Sequence, residues 1–236
     1  MLFGFFMFDW TILLVIPGLI ISIWAQIKVS TTFKKYSKMT TQKGLSGYGA
    51  ARRILDANGL SHVKIEQIRG NLTDHYDPRA NVIRLSESVY HATSPAAIGV
   101  AAHEAGHAIQ YAKNYGPIRT RSKLVPITNI GSALSMPLFF IGLIFARVSV
   151  MYSYLMVAGI ILYSLVALFQ LVTLPVEFNA SSRAMEVLES SGILNESELK
   201  SSRKVLTAAA MTYVAALLTS LLTLLRLLIL ANGNRR

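Results

Sequence analysis

The chain has 236 residues, 53% of them hydrophobic and only 15% charged, with a net charge of +11 and no cysteine. That apolar excess lies outside the usual soluble balance, so a membrane protein is the first class to test. The missing cysteines exclude disulfides and thiolate metal ligands and fit a reducing compartment, and the placement of the basic residues, described below, argues against nucleic acid as the partner.

Four stretches lack Asp, Glu, Lys and Arg: residues 10–27, 124–146, 148–176 and 205–225. Each can cross a hydrocarbon core that requires about 20 helical residues. Residues 1–27 read as a retained transmembrane anchor rather than a secretory signal, because nothing basic precedes the apolar run and Lys28 follows without a small-residue cleavage pattern. Residues 28–123 form a polar segment. Within it, Tyr48 to Asn58 carries Ala51, Ile54, Leu55 and Asn58 at helical spacing and ends at Gly59. Val63, Ile65 and Ile68 predict one strand, and Val82, Ile83 and Leu85 a second, with the turn signal Asp77-Pro78-Arg79-Ala80-Asn81 before it; a small sheet or hairpin is expected. Ser94 followed by Pro95 predicts a helix start, since the Ser oxygen can cap free amides and Pro suits the first helical position. That helix runs to about Tyr111.

Residues 124–176 predict a transmembrane helical hairpin closed around Arg147, with Pro175 kinking its second arm at the exit. Residues 177–204 predict a helical segment, stopped at Gly192 and resumed as a polar helix over 195–204. Residues 205–236 hold the last span and a tail, with Arg226 near enough to the end of the span to snorkel. Between Lys28 and Lys123 there are 15 Lys and Arg residues, and four more lie in 176–204, whereas the other side carries Arg147, Arg235, Arg236 and Arg226. Lys28, Lys34, Lys35, Arg119, Arg121, Lys123, Arg203 and Lys204 flank the spans on the richer side. This asymmetry predicts a multi-pass protein of the cell membrane with both polar segments in the cytosol.

His103-Glu104-Ala105-Gly106-His107 is an H-E-x-x-H match on the predicted helix. From this chain's own His and Glu content, a chance match is expected at roughly 0.4%. Residues four apart are about 6 Å apart along a helix axis and share a face, so both imidazoles can reach one zinc ion. A catalytic zinc takes three protein ligands and keeps an open position for water. Glu104 is placed to act as general base on that water and then to protonate the leaving amine. Ala101, Ala102, Ala105, Gly106 and Ala108 allow close packing against this helix, although Gly106 costs about 1 kcal/mol in helix propensity relative to Ala. His62, His75, His91 and several carboxylates could each supply the third ligand; position favours Glu177, immediately beyond the third span on the same side as the motif, although spacing alone fits an ordinary interfacial carboxylate there equally well.

The motif, two intervening spans, and then Glu177-Phe178 followed by small residues resemble the glutamate-ligand zinc peptidases, including the membrane-bound heat-shock-type endopeptidases. More closely, the chain resembles the YugP-like neutral zinc metallopeptidases of bacteria. The likeness covers nearly the whole chain, including Trp24-Ala25-Gln26, Arg52-Arg53-Ile54-Leu55-Asp56, Leu72-Thr73-Asp74-His75-Tyr76-Asp77-Pro78 and Leu174-Pro175-Val176-Glu177-Phe178. It implies that His103, His107 and Glu177 hold Zn2+ and that Glu104 is the base. Heat-shock-type enzymes commonly carry Asp four residues after the ligand Glu, where this chain has Ser181, so the groups that orient the ligands are expected to differ.

The expected fold is thus a mainly α membrane protein, with four transmembrane helices plus a small α+β, zincin-like juxtamembrane domain. The expected function is hydrolysis of a peptide or protein substrate at a zinc site, embedded in the lipid bilayer and without nucleic acid. The alternative is a non-catalytic zinc-binding scaffold or chaperone. A site-2-type intramembrane protease is disfavoured by the charges around the motif and by the lack of a later Asp-Gly ligand motif in an apolar segment. His75 and Tyr76 are candidate oxyanion donors, Arg183 is a candidate for oxyanion or ligand support, and the Val82 to Leu85 strand is expected to offer its edge to an extended peptide.

Overall fold

The computed structural model describes residues 9–233. They divide into two compact units, one drawn from residues 9–24, 120–174 and 212–233 and the other from 25–119 and 175–211. The elements in order are a short 3-10 turn at Trp10–Leu14, α1 (Ile16–Tyr36), α2 (Gly47–Ala57), β1 (Lys64–Ile68), β2 (His75–Asp77), β3 (Val82–Ser86), α3 (Glu87–Tyr90), α4 (Pro95–Ala112), α5 (Gly116–Phe145), α6 (Val150–Ser190) and α7 (Glu196–Gly233). Four helical stretches, Trp10–Tyr36, Gly116–Phe145, Val150–Ser190 and Glu196–Gly233, are long and apolar enough to cross a membrane. The chain is a mainly α, multi-pass membrane protein that also carries a small α+β unit.

In the first unit the helices pack through small residues. A methyl on Gly142 would lie 2.3 Å from the backbone nitrogen of Met156, and one on Gly159 would lie 2.6 Å from the Ser135 carbonyl oxygen. Such contacts replace a hydrophobic driving force that apolar surroundings cannot supply. Phe139, Leu143, Met156 and Leu227 form the buried centre. Arg226 does not simply reach for the end of its span: it is mostly buried, its Nε donates to Thr11 Oγ1 (3.1 Å), and its Nη2 stands 3.8 Å from Asp9 Oδ2. Asp9 in turn caps the 3-10 turn by accepting from the Thr11 amide (2.8 Å).

The second unit is built on α4. Ser94 caps it as expected, accepting from the Ala97 amide (3.2 Å) with Pro95 in the first turn. Its Ala-rich faces are buried among α2, the sheet and the polar stretches of α6 and α7. Both long helices are continuous: α6 remains helical on either side of Pro175, and in α7 the polar stretch leads into the last span as expected. Glu198 closes a reciprocal cap at the start of α7, where Asn195 Oδ1 accepts from the Glu198 amide (2.9 Å) and Glu198 Oε2 from the Asn195 amide (2.9 Å).

Of the small sheet or hairpin expected, the structure forms the sheet. The two predicted strands do form, but β1 and β3 lie parallel, with Lys64 opposite Val82 and Ile68 opposite Ser86. The antiparallel partner of β3 is the three-residue β2, with His75 opposite Arg84, Tyr76 opposite Ile83 and Asp77 opposite Val82. The order is β1-β3-β2. β3 is therefore paired on both sides and has no edge to offer a peptide; the edges belong to β1 and β2. The β2–β3 turn uses the predicted residues. Asp77 Oδ1 accepts from the amides of Arg79 (2.9 Å) and Ala80 (3.3 Å), and Asn81 takes φ +52°, a left-handed conformation that Asn tolerates.

Candidate metal centre

α4 presents His103 and His107 on one face, and the first turn of α6 beyond residue 176 presents Glu177 to them. Glu177 Oε2 lies 3.2 Å from His103 Nε2 and 3.5 Å from His107 Nε2. One ligand atom from each of the three side chains falls within 4.8 Å of the others. Glu177 is 1% exposed. Gly106 makes this approach possible, because a methyl there would meet the Ala180 carbonyl oxygen at 2.6 Å. The propensity cost of glycine in α4 is thereby exchanged for closeness to α6.

The far nitrogen of each imidazole is also held. His103 Nδ1 is 3.1 Å from Ser181 Oγ, and His107 Nδ1 is 3.0 Å from Gln110 Oε1. Gln110 is fully buried, and its Nε2 donates to the Val176 carbonyl (2.8 Å) and to Asn179 Oδ1 (2.9 Å). Ser181, the position that departs from the heat-shock-type pattern, thus still contacts His103, with a hydroxyl in place of a carboxylate. Gln110 was not anticipated from sequence; its signal is a lone polar residue three positions after His107, on the same face of an otherwise apolar helix.

Glu104 is buried beside this cluster. Burial pushes its carboxyl up to about 7, with the neighbouring Glu177 and Asp74 charges adding to the shift and His103 and a hydrogen bond from the Tyr76 backbone opposing it. Burial pushes Glu177 the same way, but its hydrogen bonds with His103 and His107 outweigh that effect and hold it below the usual carboxylate range. Asp74 anchors the strand that reaches Glu104: its carboxylate accepts from the Ser86 amide (2.7 Å) and the Ser86 hydroxyl (2.9 Å).

The other expected residues sit further out. The exposed ring of His75 contacts the Thr73 carbonyl through Nδ1 (2.9 Å). The Tyr76 hydroxyl donates to Asn81 Oδ1 (2.8 Å), so its main chain rather than its phenol meets Glu104. Arg183 Nε donates to Asn179 Oδ1 (2.7 Å), which places it behind Gln110. His62 and His91 are exposed, as expected.

The donor set fits a zinc ion. Two imidazoles and a carboxylate are the ligand types zinc prefers where thiolates are absent. A carboxylate oxygen facing two imidazole nitrogens in a buried pocket also calls for positive charge between them.

Residues 11–232 match the model of a family described as "Putative neutral zinc metallopeptidase". The chain is 49% identical over 224 residues to "Putative membrane protease YugP" of Bacillus subtilis (strain 168), an alignment covering 94% of this chain and 97% of that relative. No solved structure matches. With the likeness spanning almost the whole of both sequences and Zn2+ as the ion the family's description implies, the chain belongs to this family of neutral zinc metallopeptidases.

Proposed function

We propose that the chain is a membrane-embedded zinc endopeptidase that hydrolyses peptide bonds with His103, His107 and Glu177 as metal ligands and Glu104 as general base. The observation that carries this reading is the buried Glu104 on the same helix as His103 and His107, whose ligand atoms lie within 4.8 Å of one another and of Glu177's, with burial raising the Glu104 carboxyl. A group that titrates near neutral pH can both accept and return a proton there. The bound zinc supplies Lewis acidity toward the scissile carbonyl and toward water. Glu104 takes a proton from the attacking water as its oxygen bonds to the carbonyl carbon. It then gives that proton to the leaving nitrogen as the C–N bond breaks. Beside it, β2 is the edge strand whose backbone meets Glu104, which makes it the position for an extended peptide substrate. The basic residues flanking the spans support a centre facing the cytosol.

The test pairs metal content with cleavage of an unfolded protein by detergent-purified wild type, Glu104→Gln and Glu177→Ala, with and without chelator. The expected result is near-stoichiometric zinc in wild type and Glu104→Gln, chelator-sensitive cleavage in wild type alone, with turnover reduced about 10²–10⁴-fold in Glu104→Gln, and little zinc in Glu177→Ala. Full activity in Glu104→Gln would exclude the mechanism. Zinc without any cleavage would leave the non-catalytic scaffold. Because the chain has no cysteine, single introduced cysteines at Lys113 and Arg147 report orientation through labelling by an impermeant reagent from either side.

A further inference from the structure

Gln110 stands out among the buried polar groups, since it is fully enclosed, touches no solvent, and is bonded to both helices of the metal centre. Its amide orientation follows from its neighbours. The Val176 carbonyl can only accept, so the group 2.8 Å from it must be the Nε2 donor. That leaves Oε1, which can only accept, facing His107 Nδ1 at 3.0 Å. His107 Nδ1 must then carry a proton, which leaves Nε2, 3.5 Å from Glu177 Oε2, as the nitrogen whose lone pair a metal ion would take. The second Nε2 hydrogen goes to Asn179 Oδ1 (2.9 Å), whose oxygen also accepts from Arg183 Nε (2.7 Å).

We infer that Gln110 is a positioning residue: through one amide it fixes the tautomer of His107 and ties it to the turn of α6 that carries Glu177. This rests on the reading of His107 and Glu177 as metal ligands. The backbone carbonyl it holds, Val176, immediately precedes Glu177. His107 and Glu177 therefore share one buried anchor, and an error in the first ligand's ring is transmitted to the second's helix. Ser181 cannot serve His103 in the same way, because a hydroxyl both donates and accepts and so leaves the tautomer of His103 open. The anchor is also neutral. A carboxylate in that position would polarise the ligand imidazole more strongly, but it could not donate to the Val176 carbonyl or to Asn179.

The experiment uses the full chain in detergent. Long-range 15N–1H spectra of histidine-labelled, chelator-treated protein read the tautomer of His107, assigned with His107→Ala, and competition with a chromophoric chelator reads zinc affinity. Wild type is expected to hold its proton on Nδ1. In Gln110→Leu the Nδ1–H form loses its partner, the Nε2–H form gains population, and zinc affinity falls about 10–100-fold. Gln110→Glu retains an acceptor for His107, so it keeps the tautomer. A wild-type His107 that lacks a proton on Nδ1 overturns the inference even if no variant folds. So does a Gln110→Leu protein that melts earlier yet binds zinc as wild type does. The reading of the site fails separately: there, His107→Ala or Glu177→Ala itself leaves zinc affinity unchanged.

Discussion

Buried polar atoms are handled differently in the two units. Around α4, Glu104, Gln110, Glu177 and Asp74 sit in a hydrogen-bonded set, and among the described residues of that unit no buried side-chain oxygen or nitrogen lacks a partner. In the span-bearing unit, Ser135 Oγ, Thr173 Oγ1 and Asp9 Oδ2 are buried without a hydrogen bond. Close helix contacts at Gly142 and Gly159 shape that unit instead. The comparison teaches what each kind of packing specifies. Directional bonds fix side-chain angles, which a metal centre needs, whereas backbone proximity fixes only how near two helices lie.

Four measurements break or sharpen this contrast. The largest concerns buried charge, which the centre contains at Glu104. In chelated protein, its folded carboxyl at about 7 lies above the unfolded value of 4.5, so the folded state binds the proton more tightly. Its stabilising contribution is complete below about 4.5 and is lost as pH rises through about 7, a swing of about 3 kcal/mol. Denaturation midpoints of wild type and Glu104→Gln should therefore converge at low pH and separate in favour of the variant at high pH; parallel profiles would refute the buried carboxyl.

Next is Gly106→Ala. Helix propensity alone predicts stabilisation by about 1 kcal/mol, but the 2.6 Å approach to Ala180 predicts net destabilisation of about 1–3 kcal/mol with weakened zinc binding. Gly142→Ala should lower the melting temperature by a comparable amount through the Met156 contact while leaving zinc affinity alone. A zinc defect in that variant would show that the contrast between the units is wrong. The smallest effect belongs to Ser135→Ala, which removes a buried hydroxyl that bonds nothing and should be neutral or stabilising by up to about 1 kcal/mol in a thermal melt.

The spans, the α4 cap and the metal motif were legible because each has a local cause: an uncharged run of sufficient length, a Ser-Pro pair, and two histidines one turn apart. β2 was not. The segment His75-Tyr76-Asp77 has too few residues to show alternation and becomes a strand only through β3, so a small sheet is legible from the two recognisable strands but their parallel pairing is not. Gln110 was hidden for a related reason. Its role depends on Val176 and Asn179, more than sixty residues away, and nothing in α4 announces them. Glu177 is a candidate from sequence only through its position after a span and through resemblance, since a lone carboxylate carries no spacing signal of its own.

The contact of Gly106 with Ala180 acts as an indexing notch. His103 and His107 flank it on α4, while Glu177 and Ser181 flank Ala180 on α6. Any side chain at residue 106 would drive a Cβ against the Ala180 backbone. The alignment that brings the three candidate donor atoms together is thus encoded by shape, in a residue that offers no donor atom itself.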